Sequence, residues 1–468
     1  MKELITVFLT ITLSFSMLAG CGGPSGSAPD SKPAAEETAK PAAEKAANGE
    51  TSTTPQADID KEFDFDLNAT RLAHSDLEPI PQLIVEGDIS SEELEELDRM
   101  ARAYTPSADS PLVNKAQNFY YYSQMNEDEQ AIYDAMLMCV SDPTTSDNVT
   151  IVNIHTMLDP LDLEEEIDLA YFGMLYDHPE LFWIYSDEFM KGTECSMKVT
   201  THKKPDSDET TQVICKIDEP FEKFEERIEE FNNAVDTFLA DIDLSQSEDQ
   251  IALQIHDKLI DTVDYNYRSI QERSETKTDI AHTAYAALVK DSNGTPNCAV
   301  CDGYSLAYVY LLQQAGIEAT VILGEGRNAE EEKSARGHAW SAVKLDDEWY
   351  EVDTTWNDCI DGFETGLEQY KDSNPKEYEA IKESLQDKDY RFKLEHELYN
   401  LTTEEMTEHY GRDYDEYFTY NSSQGMQFSL ASNLLHYRAN DEKATLLEDY
   451  SKLMDLAPQA TGTKYKMY

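Results

Sequence analysis

Cys301-Asp302-Gly303-Tyr304-Ser305, running into the apolar stretch 306–316 (LAYVYLLQQAG), is the segment from which the rest of the chain is read. Leu306, Tyr310 and the pair Val309 and Leu312 recur at helical spacing, and Gly316 is placed to end the helix. Cys301 therefore stands at or just before a helix N-terminus, where unpaired N–H groups favour a thiolate. Gly303 leaves room for another backbone to come close. Downstream, 320–323 (TVIL) reads as a strand and 324–337 as a polar loop. His338-Ala339-Trp340-Ser341-Ala342-Val343-Lys344 and Trp349-Tyr350-Glu351-Val352-Asp353 read as two strands around Leu345-Asp346-Asp347-Glu348. Facing residues of an antiparallel ladder have numbers of constant sum. A loop of two or four residues here sets His338 and Asp353 on one face, opposite or diagonal. A carboxylate thus lies beside an imidazole, and the thiol has to approach from the helix. The chemistry needs these types: an ionised thiol attacks an amide carbonyl, the imidazole takes its proton, and the carboxylate fixes the ring tautomer. A backbone N–H at the helix start can help hold the oxyanion.

Three strings carry a resemblance. Cys-x-Gly-Tyr at 301–304, Gly-His-Ala-Trp at 337–340 and Trp-Tyr-x-Val-Asp-x-Thr-Trp at 349–356 together resemble the transglutaminase-like superfamily. His282-Thr283-Ala284-Tyr285, the stretch 397–406 (ELYNLTTEEM) and Asp177-His178-Pro179-Glu180-Leu181-Phe182-Trp183 are similar to its bacterial branches. The resemblance spans about 118–410 and is densest over 251–358. It implies an α+β fold: a papain-like core in which a Cys-bearing helix packs on an antiparallel sheet bearing His and Asp. It places the nucleophile at Cys301, the base at His338 and the orienting carboxylate at Asp353. Cys298 precedes the Cys-x-Gly-Tyr string and is set aside as nucleophile. A disulfide between Cys298 and Cys359 stays open, and the family's oxyanion side chain maps onto no residue here. The implied reaction is acyl transfer from peptide or glutamine-type amides through a thioester. Water as acceptor makes a peptidase or amidase, towards which bacterial relatives lean; a lysine amine makes a cross-linking transglutaminase. The alternative of another class is a non-catalytic surface binding module on the same fold. Retention of all three residues weighs against it.

The chain has 468 residues, with 37 Lys plus Arg against 94 Asp plus Glu and a net charge of −57. Such charge repels phosphate backbones, so nucleic acid is excluded as a partner. Residues 1–20 read as an export signal, apolar over 4–18 after Lys2. Leu18-Ala19-Gly20-Cys21 resembles the lipobox of bacterial lipoproteins, which implies lipidation of Cys21. The expected setting is extracytoplasmic, anchored to the bacterial membrane, with a protein or peptide substrate at the cell surface or envelope. Residues 21–60, rich in Gly, Pro, Ala, Ser, Thr, Glu and Lys, read as a disordered tether. Residues 61–244 read as a mainly helical N-terminal region, with helices over 91–103, 126–140, 167–176 and 221–238. It holds a hairpin over 194–217, with Cys195 and Cys215 each ten residues from Pro205; a disulfide between them stays open. Residues 245–410 form the catalytic unit and 411–468 a C-terminal extension. No cofactor is expected. No metal site is expected either, since His256, His282 and His338 lack ligand spacing and 291–294 is only a fragment of a calcium loop.

Overall fold

The computed structural model describes residues 83–86, 90–103, 114–141, 148–154, 160–185, 197–203, 211–217, 224–266, 269, 280–326, 336–358, 371, 375–410 and 412–414. Cys21, Cys195 and Cys359, the export segment and the tether lie outside the described residues.

In chain order the elements are β1 (Leu83–Glu86), α1 (Ser91–Ala103), α2 (Glu127–Val140), β2 (Asn148–Ile154), α3 (Pro160–Asp177), β3 (Met197–Lys203), β4 (Thr211–Ile217), α4 (Phe224–Leu239) and α5 (Glu248–Thr262). They continue as β5 (Asp264–Tyr265), α6 (Ala284–Leu288), β6 (Cys298–Ala299), α7 (Cys301–Gln314), β7 (Ala319–Gly326), β8 (Arg336–Leu345) and β9 (Glu348–Val352). Last come α8 (Thr354–Asn357), α9 (Pro375–Ser384), α10 (Lys388–Glu395), α11 (Thr403–Tyr410) and β10 (Arg412–Tyr414). The fold is α+β, with a helix packed on an antiparallel sheet at its core.

Two four-stranded sheets organise it, β1-β3-β4-β2 and β10-β7-β8-β9. The first has the expected hairpin at its centre, but the register differs from equal spacing about Pro205. Cys215 faces Val199 on one side and Thr150 on the other. It is buried as a thiol, and burial pushes it up to about 12. β2 enlarges the hairpin: its sequence NVTIVNI is rich in β-branched residues and pairs along β4.

The second sheet is antiparallel throughout and carries α7 on one face. After Asp302, α7 has no charged residue, and every one of its residues is buried, as befits a helix apolar on all sides. Gly316, at φ +84°, ends it in the left-handed conformation that only glycine enters at no steric cost, while Ile317 N–H reaches back to the Leu312 carbonyl. β8 and β9 turn on Asp346 and Asp347, both at positive φ, the conformation of a tight two-residue hairpin. Helices of the N-terminal region share one apolar core with the sheet: Ile132, Tyr171, Phe231, Leu311 and Trp340 belong to the same cluster. Tyr121 donates its hydroxyl to the Val321 carbonyl at 2.6 Å, and Gln313 donates to the Asp177 carbonyl at 3.1 Å.

Candidate active site

Cys301 is the first residue of α7 and is 1% exposed. Two features hold this helix start against its neighbours. Gly303 lies so close to the preceding chain that an added Cβ would stand 2.5 Å from the Ala281 carbonyl oxygen and 2.9 Å from Ala299 Cβ. Tyr304 donates to the Val263 carbonyl at 2.6 Å and lies 2.6 Å from an Asp358 carboxylate oxygen. The thiol lies against β8, within reach of the Ala339 N–H.

His338 sits on β8 opposite Gly324 of β7. The hairpin pairs Leu345 with Glu348 and Ser341 with Val352, so Asp353, one residue past β9, continues the ladder towards Trp340 and falls diagonal to His338. The two side chains meet: His338 Nε2 is 2.7 Å from Asp353 Oδ2. Asp353 also caps α8, its Oδ1 accepting the Trp356 N–H at 3.0 Å, and its own N–H goes to the Leu398 carbonyl at 3.0 Å. His338 and Asp353 thus meet as the hairpin register leads one to expect, and Cys301 begins the helix that packs on β8.

Their ionisation differs from the expectation drawn from the helix start. Burial pushes the Cys301 thiol well above its usual range, and the neighbouring Asp302 carboxylate adds to this. The N–H groups of Ala339 and Asp302 offset it only in part. Desolvation here opposes the pull of the helix terminus towards thiolate. Burial likewise lowers His338, against the pull of Asp353. Asp353 resists its burial because His338 and Arg412 lower it, to about 2. Burial thus works against charge on Cys301 and His338, while Asp353 is held ionised by its neighbours. A carboxylate on Nε2 fixes the proton there and leaves Nδ1 as the basic nitrogen.

Two neighbours were not visible in the sequence. Asp302 accepts the Gly303 N–H at 3.0 Å through Oδ1 and meets His282 Nδ1 at 2.6 Å through Oδ2, a second imidazole–carboxylate pair beside the thiol. Arg412, on β10 and beyond the boundary drawn at 410, places Nη2 2.5 Å from Asp353 Oδ2. Both pairs join residues far apart in sequence, and no local spacing announces them.

One cluster brings donor atoms together as a metal site would. His256, Asp257 and His396 have ligand atoms within 4.8 Å of one another. A network of hydrogen bonds links them to one another and to Asn357. Asn357 Oδ1 accepts the Leu398 N–H at 2.9 Å, which turns its amide N–H towards His256 Nε2, also at 2.9 Å. His256 then donates through Nδ1 to Asp257 at 2.9 Å. His396 lies 2.5 Å from the Phe392 carbonyl through Nδ1 and 2.7 Å from Asp257 through Nε2. Burial pulls His256 down to about 4, in keeping with its neutral form. Each ligand atom of the cluster is thus already engaged in a hydrogen bond.

Residues 237–354 match the family model of the transglutaminase-like superfamily, and the chain carries a transglutaminase-like core over that segment. The matched span includes Cys301, His338 and Asp353. A solved structure, the crystal structure of a TGase, is 14% identical with a TM-score of 0.21, covering 51% of this chain and 58% of its own. The chain thus spans little more than half the length of that structure. No curated protein matches the chain.

Proposed function

We propose that the protein is a cysteine acyl-transfer enzyme acting on peptide or glutamine-type amides, with Cys301 as nucleophile, His338 as base and Asp353 as orienting carboxylate. The observation that carries this reading is the 2.7 Å contact between His338 Nε2 and Asp353 Oδ2, on the strand against which the Cys301 helix begins. The Cys301 sulfur attacks the amide carbonyl carbon while its proton passes to His338 Nδ1. The resulting imidazolium is stabilised by Asp353. Collapse of the tetrahedral intermediate breaks the C–N bond, and His338 gives the proton to the leaving amine. A thioester remains. Water then attacks it, giving its proton to His338, and the carboxylic acid leaves as the thiol is restored. A lysine amine in place of water would give an isopeptide bond. Hydrolysis is the reading preferred here, because bacterial members of the superfamily lean that way. The Ala339 and Asp302 N–H groups, which already reach the sulfur, lie close to where an oxyanion forms.

The setting is proposed with the chemistry. Leu18-Ala19-Gly20-Cys21 supports lipidation at Cys21 and attachment outside the cytoplasmic membrane. Among the described residues no helix is long and apolar enough to cross a membrane.

The test is acylation by an activated ester such as p-nitrophenyl acetate, read by intact-protein mass and peptide mapping. A single acyl group on Cys301, lost in Cys301→Ala and strongly slowed in His338→Ala, is the expected result. Acyl transfer to another cysteine, or none at all, overturns the reading in favour of a binding module.

A further inference from the structure

Arg412 is 1% exposed, and the catalytic steps above do not use it. Its Nη2 lies 2.5 Å from Asp353 Oδ2, the same oxygen that takes the His338 Nε2–H at 2.7 Å. Its guanidinium carbon lies 4.0 Å from the centre of the Trp356 ring and 5.9 Å from that of Trp340. These two rings also flank His338, at 5.8 and 5.9 Å. The backbone shows how an arginine from the edge strand reaches this far. β10 pairs with β7, where Arg412 faces Gly326 and Tyr414 faces Gly324, and β7 in turn pairs with β8, where Gly324 faces His338. The two glycines put no side chain between β10 and β8, so the guanidinium crosses β7 to the carboxylate.

A buried carboxylate that stays ionised needs a cation, and a neutral His338 does not supply one. A guanidinium keeps its proton throughout the working range of pH. We propose that Arg412 is a positioning residue that sets the base strength of His338: by sharing Asp353 Oδ2 it meets the charge of Asp353 at rest and leaves His338 neutral. This rests on the acyl-transfer reading of the site. In agreement, Arg412 lowers both His338 and Asp353. Without it, Asp353 would draw its counter-charge from His338, and the imidazolium with its thiolate partner would be populated before substrate arrives.

The test uses the full chain with Arg412→Met, Arg412→Gln and Arg412→Lys. Histidine ¹⁵N NMR follows His338, its signal assigned by loss in His338→Ala, and iodoacetamide measures Cys301 reactivity. Arg412→Met is expected to move the His338 titration to higher pH and to raise Cys301 alkylation at pH 7 about tenfold, the effect of removing one adjacent charge. Arg412→Lys, which keeps the charge, restores the wild-type titration. Should Arg412→Met melt early, Arg412→Gln retains a donor to Asp353 without the charge and carries the same expectation. A His338 titration identical in wild type, Met and Gln overturns the proposal, because an arginine that merely packs would not move it. Failure of the acyl-transfer reading looks different: Cys301 alkylation is then indifferent to His338→Ala in the wild-type background, whatever Arg412 does.

Discussion

Replacing Asp353 by Asn changes one atom and removes two arrangements at once. Oδ1 accepts the Trp356 N–H at 3.0 Å, and Oδ2 accepts from His338 at 2.7 Å and from Arg412 at 2.5 Å. An amide keeping its oxygen on Trp356 turns its NH₂ towards two donors. Arg412 loses its carboxylate and stays buried. His338 accepts through Nε2, which moves its own proton to Nδ1, the nitrogen that has to receive the thiol proton. The carboxyl is held at about 2 instead of the ordinary 3.8. That difference is worth about 2 kcal/mol of stability from the ionised form, and an orphaned guanidinium raises the cost to about 3–5 kcal/mol. Because the folded-state pKa is the lower one, this stabilisation is complete above the unfolded value and is lost as pH falls towards about 2. Urea unfolding of wild type and variant should therefore show a gap that is widest near neutrality and narrows in acid. Single-turnover acylation of Cys301 should fall by about 10⁴-fold, the loss seen when the serine-protease triad receives the same change. A variant that acylates within about tenfold of wild type would refute the tautomer argument. A stability gap that ignores pH would refute the ion pair.

Gly303→Ala should cost about 3 kcal/mol in urea unfolding, because the new Cβ would meet backbone at 2.5 Å and neither chain can yield cheaply; an unchanged midpoint counts against this packing. Asp177 accepts the N–H groups of Tyr121 at 3.1 Å and Tyr122 at 2.9 Å, yet burial raises it from 3.8 to about 6. A raised carboxyl makes the folded state bind its proton more tightly, so stability is lost as pH rises from the unfolded to the folded value. Relative to Asp177→Asn, wild type should lose about 3 kcal/mol over that interval, a shift absent if the carboxylate is well solvated. Cys21→Ser should release the protein from membranes or leave a precursor of higher mass, and unchanged partition and mass would remove the anchor.

Local pattern made the centre of the site legible. A helix apolar on all sides between Cys301 and Gly316, and a hairpin with Asp346 and Asp347 at its turn, fix the faces of His338 and Asp353 before any tertiary contact is known. Gly303 was readable for the same reason, as a small residue where a chain must pass close. Long-range partners were not. Arg412 reaches Asp353 across two glycines on an intervening strand, and His396 meets Asp257 across 139 positions. Register in a long hairpin was also beyond the sequence: Pro205 is not the midpoint of the β3–β4 pairing, so Cys215 stands opposite Val199. A helix terminus is a local feature that the sequence shows, whereas the desolvation that pushes the Cys301 thiol up depends on everything packed around it.

The charge pairing around the thiol bears on how the proposed nucleophile would be poised to react. Two buried carboxylates flank the pair of Cys301 and His338, and each has its own partner: Asp302 has His282 at 2.6 Å and Asp353 has Arg412 at 2.5 Å. Between them, burial opposes charge on the thiol and the imidazole. In the proposed acyl transfer, the imidazolium formed when the thiol proton reaches His338 would stand beside a carboxylate that is already oriented, in surroundings where water contributes little screening. The groups that stabilise the separated charges need not reorganise at that moment. Stabilisation is thus reserved for the reacting state and is not spent on a standing thiolate. A thiol kept protonated until substrate arrives is also slow to oxidise and slow to exchange disulfides, since both reactions need thiolate. That property fits the extracytoplasmic setting proposed for this chain, where oxidants are commoner than in the cytoplasm.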